Sequence, residues 1–481
     1  MQLLSRKEFL RRTLLLSLGL TFLPYCKKDD TPSGGSGKKK DILIIGAGIS
    51  GLAAARKLTQ AGHNVRILEA SDHYGGRIQS VDFNGYIADL GASWIHGIRG
   101  NPLYDLVKKH HINTKVTHYD PSHIYDTDGS EITAAEWNDI EKKFDELYKL
   151  ADKYPQKSMQ DLLNMMEPNL NFSAKMKRLW YGAIRSEYEI PYATESSHLS
   201  ARAVNAIDSF PGDDVVFPNG MAELCDILAK GLKIEYHSFV TKIDYSGDKV
   251  KVSVINTADV DPQRSCKTCH QGIAAPSLNA NRIEEAEHLI CTLPLNILKQ
   301  NIVAFNPKIP QPKADALKGL GMGIMNKVFL KFSTTFWDDK AYFLEYLEQD
   351  SSKIIEFFSP APTGSKNVLV AVLAGKHAKK MESKTDAEVI QMVMDDLKGM
   401  FGNSIPAPVA IQRTAWHGNQ FSLGSYPHLR PGYDYNVCDD IARPLSDKVF
   451  FAGDATHRKY LATAHGAYLS GIRAAEEIMK T

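Results

Sequence analysis

Short apolar runs punctuate the chain, and the run at 42–45 is the plainest of them. Four aliphatic residues in succession are the pattern of a parallel strand buried on both faces. Gly46, Gly48 and Gly51 follow at once with G-x-G-x-x-G spacing. A helical period then runs through Leu52, Ala55 and Leu58 to Ala61, where Gly62 suits a C-terminal cap. Residues 65–68 read as a second strand, and Glu69 ends it 18 residues after Gly51. In such a unit the first glycine permits a tight turn and the second lets backbone approach a pyrophosphate. The third lets the helix lie close to the strand, and the acid can hold a ribose hydroxyl. The pattern predicts a dinucleotide site.

Periodicity divides the remainder. Residues 102–203 read as mainly helical, with apolar residues at three-to-four spacing in 137–152 and 159–166. A helix is expected through Leu224, Ile227 and Leu228. Strand-like runs near 234–236, 240–245, 250–255 and 289–293 are expected to rejoin the dinucleotide sheet, with Pro294 ending the last. Further runs at 328–332, 354–358 and 368–373, and a helix opened by the capping box Thr385-x-x-Glu388, precede a final return. There 449–452 has a buried-strand pattern, followed by Gly453 and Asp454, and Thr463 and Ala464 open the last helix. The fold class expected is α/β: a Rossmann-like dinucleotide domain from 41–100, 212–300 and 441–481, with an insertion at 258–282. A discontinuous α+β substrate domain is expected from 101–211 and 301–440.

Charge changes the picture only at the N-terminus. The 481 residues carry a formal net charge of +1, yet the first 40 hold nine Lys or Arg against three Asp or Glu. The mildly acidic remainder gives no support to a nucleic-acid partner. Arg6, Lys7, Arg11 and Arg12 precede an apolar run at 14–23 that is too short to span a bilayer. Residues 5–10 resemble a twin-arginine export signal with Lys in place of the second Arg, and 23–26 resemble a lipoprotein cleavage box. The expectation is an export signal over 1–26, a flexible tether over 27–40, and a periplasmic or cell-surface protein tethered to a membrane through lipidated Cys26.

The motifs GAGISG with Glu69, GGR at 75–77, GASWIHG at 91–97 and VVFPNGM at 215–221 together resemble the flavin-dependent amine oxidase family. CTLPLNIL at 291–298, GMGIMNKVFLKF at 321–332, GSYPH at 424–428 and FAGDATH…ATAHGAYLSG at 451–471 complete the likeness. The resemblance implies a noncovalent FAD held first by Gly46, Gly48, Ser50, Gly51 and Glu69. Gly76, Arg77, Ser93, Trp94 and Val240 would add contacts, as would Trp416, Gly453, Asp454 and Ala464. Asp454 stands where the family usually has Glu on the ribityl chain, and His73 where many members have Arg. Ser425 replaces the Cys of covalent members, so no thioether is expected.

For chemistry, the resemblance implies that Lys327 holds a water at flavin N5 and that Tyr426 forms one wall of an aromatic substrate cage. Thr463 takes the other wall, as in polyamine oxidases and histone lysine demethylases. His96 matches a polyamine-oxidase histidine that contacts substrate nitrogen, with a structural histidine as the rival reading. Glu187 and Glu189 either bind a distal ammonium or are solvated charges. The 91–97 stretch lacks the Arg that L-amino-acid oxidases usually place there. The implied reaction is oxidation of an extended amine, a polyamine above others, to an imine or aldehyde with O2 reduced to H2O2. The rival readings are an L-amino-acid oxidase, an amine dehydrogenase passing electrons to a haem, and a flavin-binding protein without turnover.

The insertion contains Cys266-Lys267-Thr268-Cys269-His270, the C-x-x-C-H signature of covalent haem. A local disulfide in an exported loop is the plainer reading; a simple thiol loop is the third. No metal site is expected, and haem-free transfer of electrons to oxygen is the expectation.

Overall fold

The strand Asp41–Ile45 is the centre of a five-stranded parallel sheet. Its order is Val449–Phe451, His288–Cys291, Asp41–Ile45, Asn64–Leu68 and Ile234–Glu235. The computed structural model describes residues 38–205, 209–257, 282–348, 350, 353 and 356–481. The expected export signal with Cys26, most of the tether, and the insertion with Cys266, Cys269 and His270 lie outside the described residues. Among those described, no helix is long and apolar enough to cross a membrane.

Alternation explains why the central strand is apolar throughout. Ile42 and Ile44 pack with Leu52 and Leu58 of helix Ile49–Gln60 and with Ala474 and Ile478 of helix Ala464–Lys480. Leu43 and Ile45 join Val240, Ile243, Val252 and Val254 on the other side. Fully burying each such side chain contributes roughly 1.5–3 kcal/mol.

The second face is covered by a separate four-stranded sheet. Strands Ser238–Asp244 and Val250–Asn256 pair antiparallel, flanked by Ala304–Asn306 and Arg282–Ala286. This corrects the expectation that these runs rejoin the parallel sheet. A short turn can join only antiparallel neighbours, whereas a parallel return needs a long crossover. Of the four runs, only Ile234–Glu235 and His288–Cys291 join the dinucleotide sheet.

A six-stranded sheet forms the other half, in the order Ala410–Arg413, Met325–Lys331, Val368–Ala374, Glu356–Phe358, Phe343–Tyr346 and Ser122–Tyr125. Beside it lie helices Ala134–Lys153, Met159–Met166 and Ala174–Ile184, around the buried rings of Phe144 and Trp180. The first two open with reciprocal capping boxes, Thr133 with Glu136 and Ser158 with Asp161. The third runs on into a π-helical turn, Arg185–Glu189. Register places Lys327 opposite Val372, Val372 opposite Glu356, and Glu356 opposite Glu345. Directly opposed residues share a sheet face, so these four make one row.

Candidate active site

The glycine turn is fastened from three sides. Gly46 adopts φ +99° and donates its amide to Leu68 O at 2.8 Å. Gly75 donates to Ala47 O at 2.9 Å, which lays the 75–77 segment against the turn. A Cβ on Gly51 would fall 2.1 Å from Gly46 O, so only glycine lets this helix start so near the strand. Glu69, buried, accepts from the Ala47 amide at 2.7 Å and from Ser71 N and Oγ at 2.9 and 2.8 Å. The acid expected on a ribose therefore also anchors the turn itself.

Arg77 and Asp454 meet as a bidentate pair at 2.6 and 2.8 Å, and Arg77 also reaches Ser425 O at 2.8 Å. The guanidinium's charge is matched within the protein by a planar, charge-assisted fork. Ser470, absent from the sequence reading, joins the two glycine segments. Its Oγ accepts from Gly453 N at 2.8 Å and lies 3.2 Å from Ser50 Oγ. Beside it, a Cβ on Gly471 would sit 2.1 Å from Ser50 O. The signal was available in the Ser-Gly pair ending ATAHGAYLSG.

Thr463 caps the final helix, accepting from Gly466 N and donating to Tyr460 O, both at 2.9 Å. Its hydroxyl is thus engaged by backbone, so any cage wall it offers is its methyl group. The amides of Ala464 and His465 are first-turn donors without intrahelical acceptors. Cβ atoms built on Gly48 or Gly453 would meet nothing within 4 Å, and one on Gly76 would meet only Gly48 Cα at 3.5 Å. Val240 is buried beside Leu68 and Ile45. Glycines with open space over their backbone, amides at a helix start and a buried acid make a cradle that fits a dinucleotide flavin. His73 stands apart, bonded to Asp72.

Lys327 joins this cradle to the six-stranded sheet. Its buried Nζ donates to Asp89 O at 2.9 Å, Gly91 O at 2.7 Å and Ser93 Oγ at 2.5 Å. It lies 5.8 Å from the Trp94 ring centroid, and Trp94 stands edge-on to Phe358 at 4.9 Å. Burial pulls the ammonium down to about 8, against the opposing attraction of Asp89. Trp416 is placed by Asn326, whose Oδ1 accepts from Trp416 N and Thr414 Oγ1, both at 3.0 Å. The indole donates to Leu90 O at 3.2 Å. Thr414 Oγ1 in turn accepts from Lys327 N at 2.9 Å, so lysine and indole share one buried network.

On the amine side, Tyr426 OH approaches Ile190 O at 3.4 Å, and burial raises its phenol well above the ordinary range. Ile190 and Val372 pack together with Met325 and Ala374. A cavity of about 520 Å³ opens beyond them, lined by Arg185, Glu189, Glu195, Lys376 and His377 among others. Glu189 accepts from Ser196 N at 2.8 Å and Oγ at 2.7 Å, and Glu187 is buried. Neither is a solvated helix-end charge. The carboxylates the sequence reading missed are Glu356 and Glu345, both buried and directly opposed in the Lys327 row. Ser186 Oγ donates to Glu345 at 2.7 Å. Alternating strand residues gave no sign of which face they would share.

His96 is half exposed, and its Nδ1 lies 3.0 Å from Asp214. Asp214 also accepts from Gly97 N at 2.8 Å and Tyr119 OH at 2.6 Å. Burial opposes its charge, yet the bonds from His96, Tyr119 and Gly97 win and hold the carboxyl at about 2. Ser425 exchanges bonds with the Met325 backbone at 2.7 and 3.0 Å.

Comparison with known proteins agrees with this geometry. The family model for flavin containing amine oxidoreductases matches residues 49–479. Protein FLOWERING LOCUS D of Arabidopsis thaliana is 31% identical over 94% of this chain, which spans only 57% of that relative's length. The peroxisomal N(1)-acetyl-spermine/spermidine oxidase of Bos taurus is 26% identical, over 92% of this chain and 95% of its own. A redesigned putrescine oxidase structure superposes with TM-score 0.72 at 18% identity, covering 92% of this chain and 99% of that one, and so shares the fold. A match over nine-tenths of the length, on an α/β fold built around a dinucleotide cradle, leaves one conclusion: the chain belongs to the flavin-containing amine oxidoreductase family.

Proposed function

We propose that this protein is an FAD-dependent oxidase of extended amines, polyamines above others, with O2 as electron acceptor and H2O2 as product. The observation that carries the reading is the row Lys327, Val372, Glu356 and Glu345 on one sheet face. Two buried carboxylates on the Lys327 face give it an acidic character that suits a substrate carrying a second cationic group. An amine with a second ammonium supplies such a group. The near full-length likeness to an acetylated polyamine oxidase supports the same class.

The flavin, when bound, supplies a two-electron acceptor for the amine's α-carbon hydrogen. The chain's residues do the rest. Tyr426 orients the amine nitrogen, while Phe358, Val372 and Trp94 keep water from the carbon. Lys327 holds its ammonium against the 89–93 loop, and the amides of Ala464 and His465 favour negative charge at the helix start. With Ser425 in place of Cys, the flavin is bound without a covalent link. We further propose export, with Cys26 lipidated as a membrane tether, and no haem at Cys266 and Cys269.

Anaerobic mixing with a panel of polyamines, monoamines and amino acids tests the reading. Spermidine or spermine should bleach the flavin absorbance, and readmitted oxygen should yield one peroxide per amine. Bleaching by amino acids alone would replace the proposal with an amino-acid oxidase. A haemochrome spectrum would turn the oxidase into a dehydrogenase.

A further inference from the structure

Lys327 is opposed by a second buried titratable side chain, Asp89, which the amine-oxidase chemistry does not use. Asp89 ends strand Tyr86–Asp89, and the same residue's carbonyl accepts from Lys327 Nζ at 2.9 Å. Its carboxylate takes Ser80 Oγ at 2.5 Å and the Met221 amide at 2.9 Å, both on Oδ1. Asp89 and Lys327 also line a common cavity of about 40 Å³, walled by Trp94, Phe217, Phe329 and Phe358. That volume holds one water with polar partners on both sides. We propose that Asp89 is the proton partner of Lys327, exchanging a proton with it through Ser93 and a water in this cavity.

In the exchange Lys327 Nζ gives Ser93 Oγ the proton it already donates to it, Ser93 passes its own hydroxyl proton to the water, and the water passes one to the Asp89 carboxylate. The reverse step restores both charges, and no electrons move. The cavity shares Trp94, Phe358 and Val372 with the amine side, so a cationic substrate there would favour the neutral lysine. Asp89 is thus a positioning residue, acting through Lys327.

The two groups are matched for this. Burial lifts Asp89 to about 6, partly offset by Ser80, Lys327 and Met221, while burial lowers Lys327 to about 8. Tyr86 on its own strand is the other titratable group against Asp89, and burial keeps it a neutral phenol. Ser93 is the other side chain bonded to Lys327 Nζ, and it carries no charge.

The inference rests on the proposed function only for its purpose, and its test does not need an amine substrate. Holoenzyme labelled with 13Cε-lysine is titrated by NMR, with the Lys327 signal assigned by its loss in Lys327→Met. Asp89→Asn keeps an acceptor for Ser80 and Met221 but removes the charge. The Lys327 midpoint should fall by roughly one pH unit or more. Oxidation of dithionite-reduced holoenzyme by O2 should shift its pH profile by the same amount. In a Lys327→Met background, Asp89→Asn should leave that profile unmoved. An unchanged Lys327 midpoint, or a profile shift that persists without Lys327, would overturn the proposal. If no amine reduces the flavin but the midpoint moves, the function fails and this inference stands.

Discussion

Gly46, Gly48, Gly51 and Glu69 come from one run of 24 residues, whereas Lys327, Glu356, Glu345 and Tyr426 meet from four separated segments. At the cofactor end the constraint is steric and local: a Cβ on Gly51 or Gly471 would strike backbone 2.1 Å away. At the amine end it is electrostatic and long-range, because charges are buried by strands whose register the neighbouring strands decide. Backbone collisions leave a spacing in the chain that can be read directly. Buried charges leave none, since a Glu in a strand looks alike whether it faces core or solvent.

The largest effect should come from breaking the steric end. Gly51→Ala forces the helix off the strand, and the purified protein should lack flavin absorbance, at a stability cost of about 1–3 kcal/mol or more. Retention of stoichiometric flavin would show that the close approach is dispensable. Lys327→Met attacks the electrostatic end instead. Flavin should remain bound while reduction or reoxidation slows on the order of 10²-fold in stopped-flow traces. Unchanged rates in both half-reactions would remove Lys327 from the chemistry.

The same variant sharpens the comparison through pH. The folded-state pKa of Lys327, about 8, lies below the ordinary 10.5. Between those values the unfolded chain binds more protons, so this group's contribution to stability rises with pH. Below pH 8 its burial costs roughly 3 kcal/mol. In urea unfolding, Lys327→Met should therefore be favoured over wild type most at pH 7, and less at pH 9.5. A pH-independent difference would mean that the ammonium is not desolvated.

Smaller effects belong to the connectors. Asn326→Ala strands the Trp416 amide and the Thr414 hydroxyl, and should lower stability by about 1–3 kcal/mol. It should also disturb Lys327 kinetics, because Thr414 bonds the Lys327 amide. Ser470→Ala removes one acceptor from Gly453 N and should cost about 1 kcal/mol in thermal unfolding with flavin retained. A loss of flavin there would make Ser470 part of the cradle rather than its brace.

Much of the helical layout was legible because it rests on neighbours in sequence. Met159–Met166, the Thr385–Glu388 capping box and the Thr463 cap stand where period and capping chemistry put them. The glycine turn was legible for the same reason. The runs at 240–245 and 250–255 were not, since an apolar alternating run fits a parallel or an antiparallel sheet equally well. Only the hairpin pairing of Ser238–Asp244 with Val250–Asn256 sent them to a second sheet.

By itself, then, the order of residues determined the dinucleotide turn, several helix starts and the family, because each depends on contacts within a few residues or on ordered motifs. Tertiary structure alone decided that Arg77 pairs with Asp454 and that Glu356 faces Glu345. It also decided that Asp89 and Lys327 share one small cavity. Those outcomes turn on which distant side chains are removed from water together. That is settled by how sheets stack, and no local pattern encodes it.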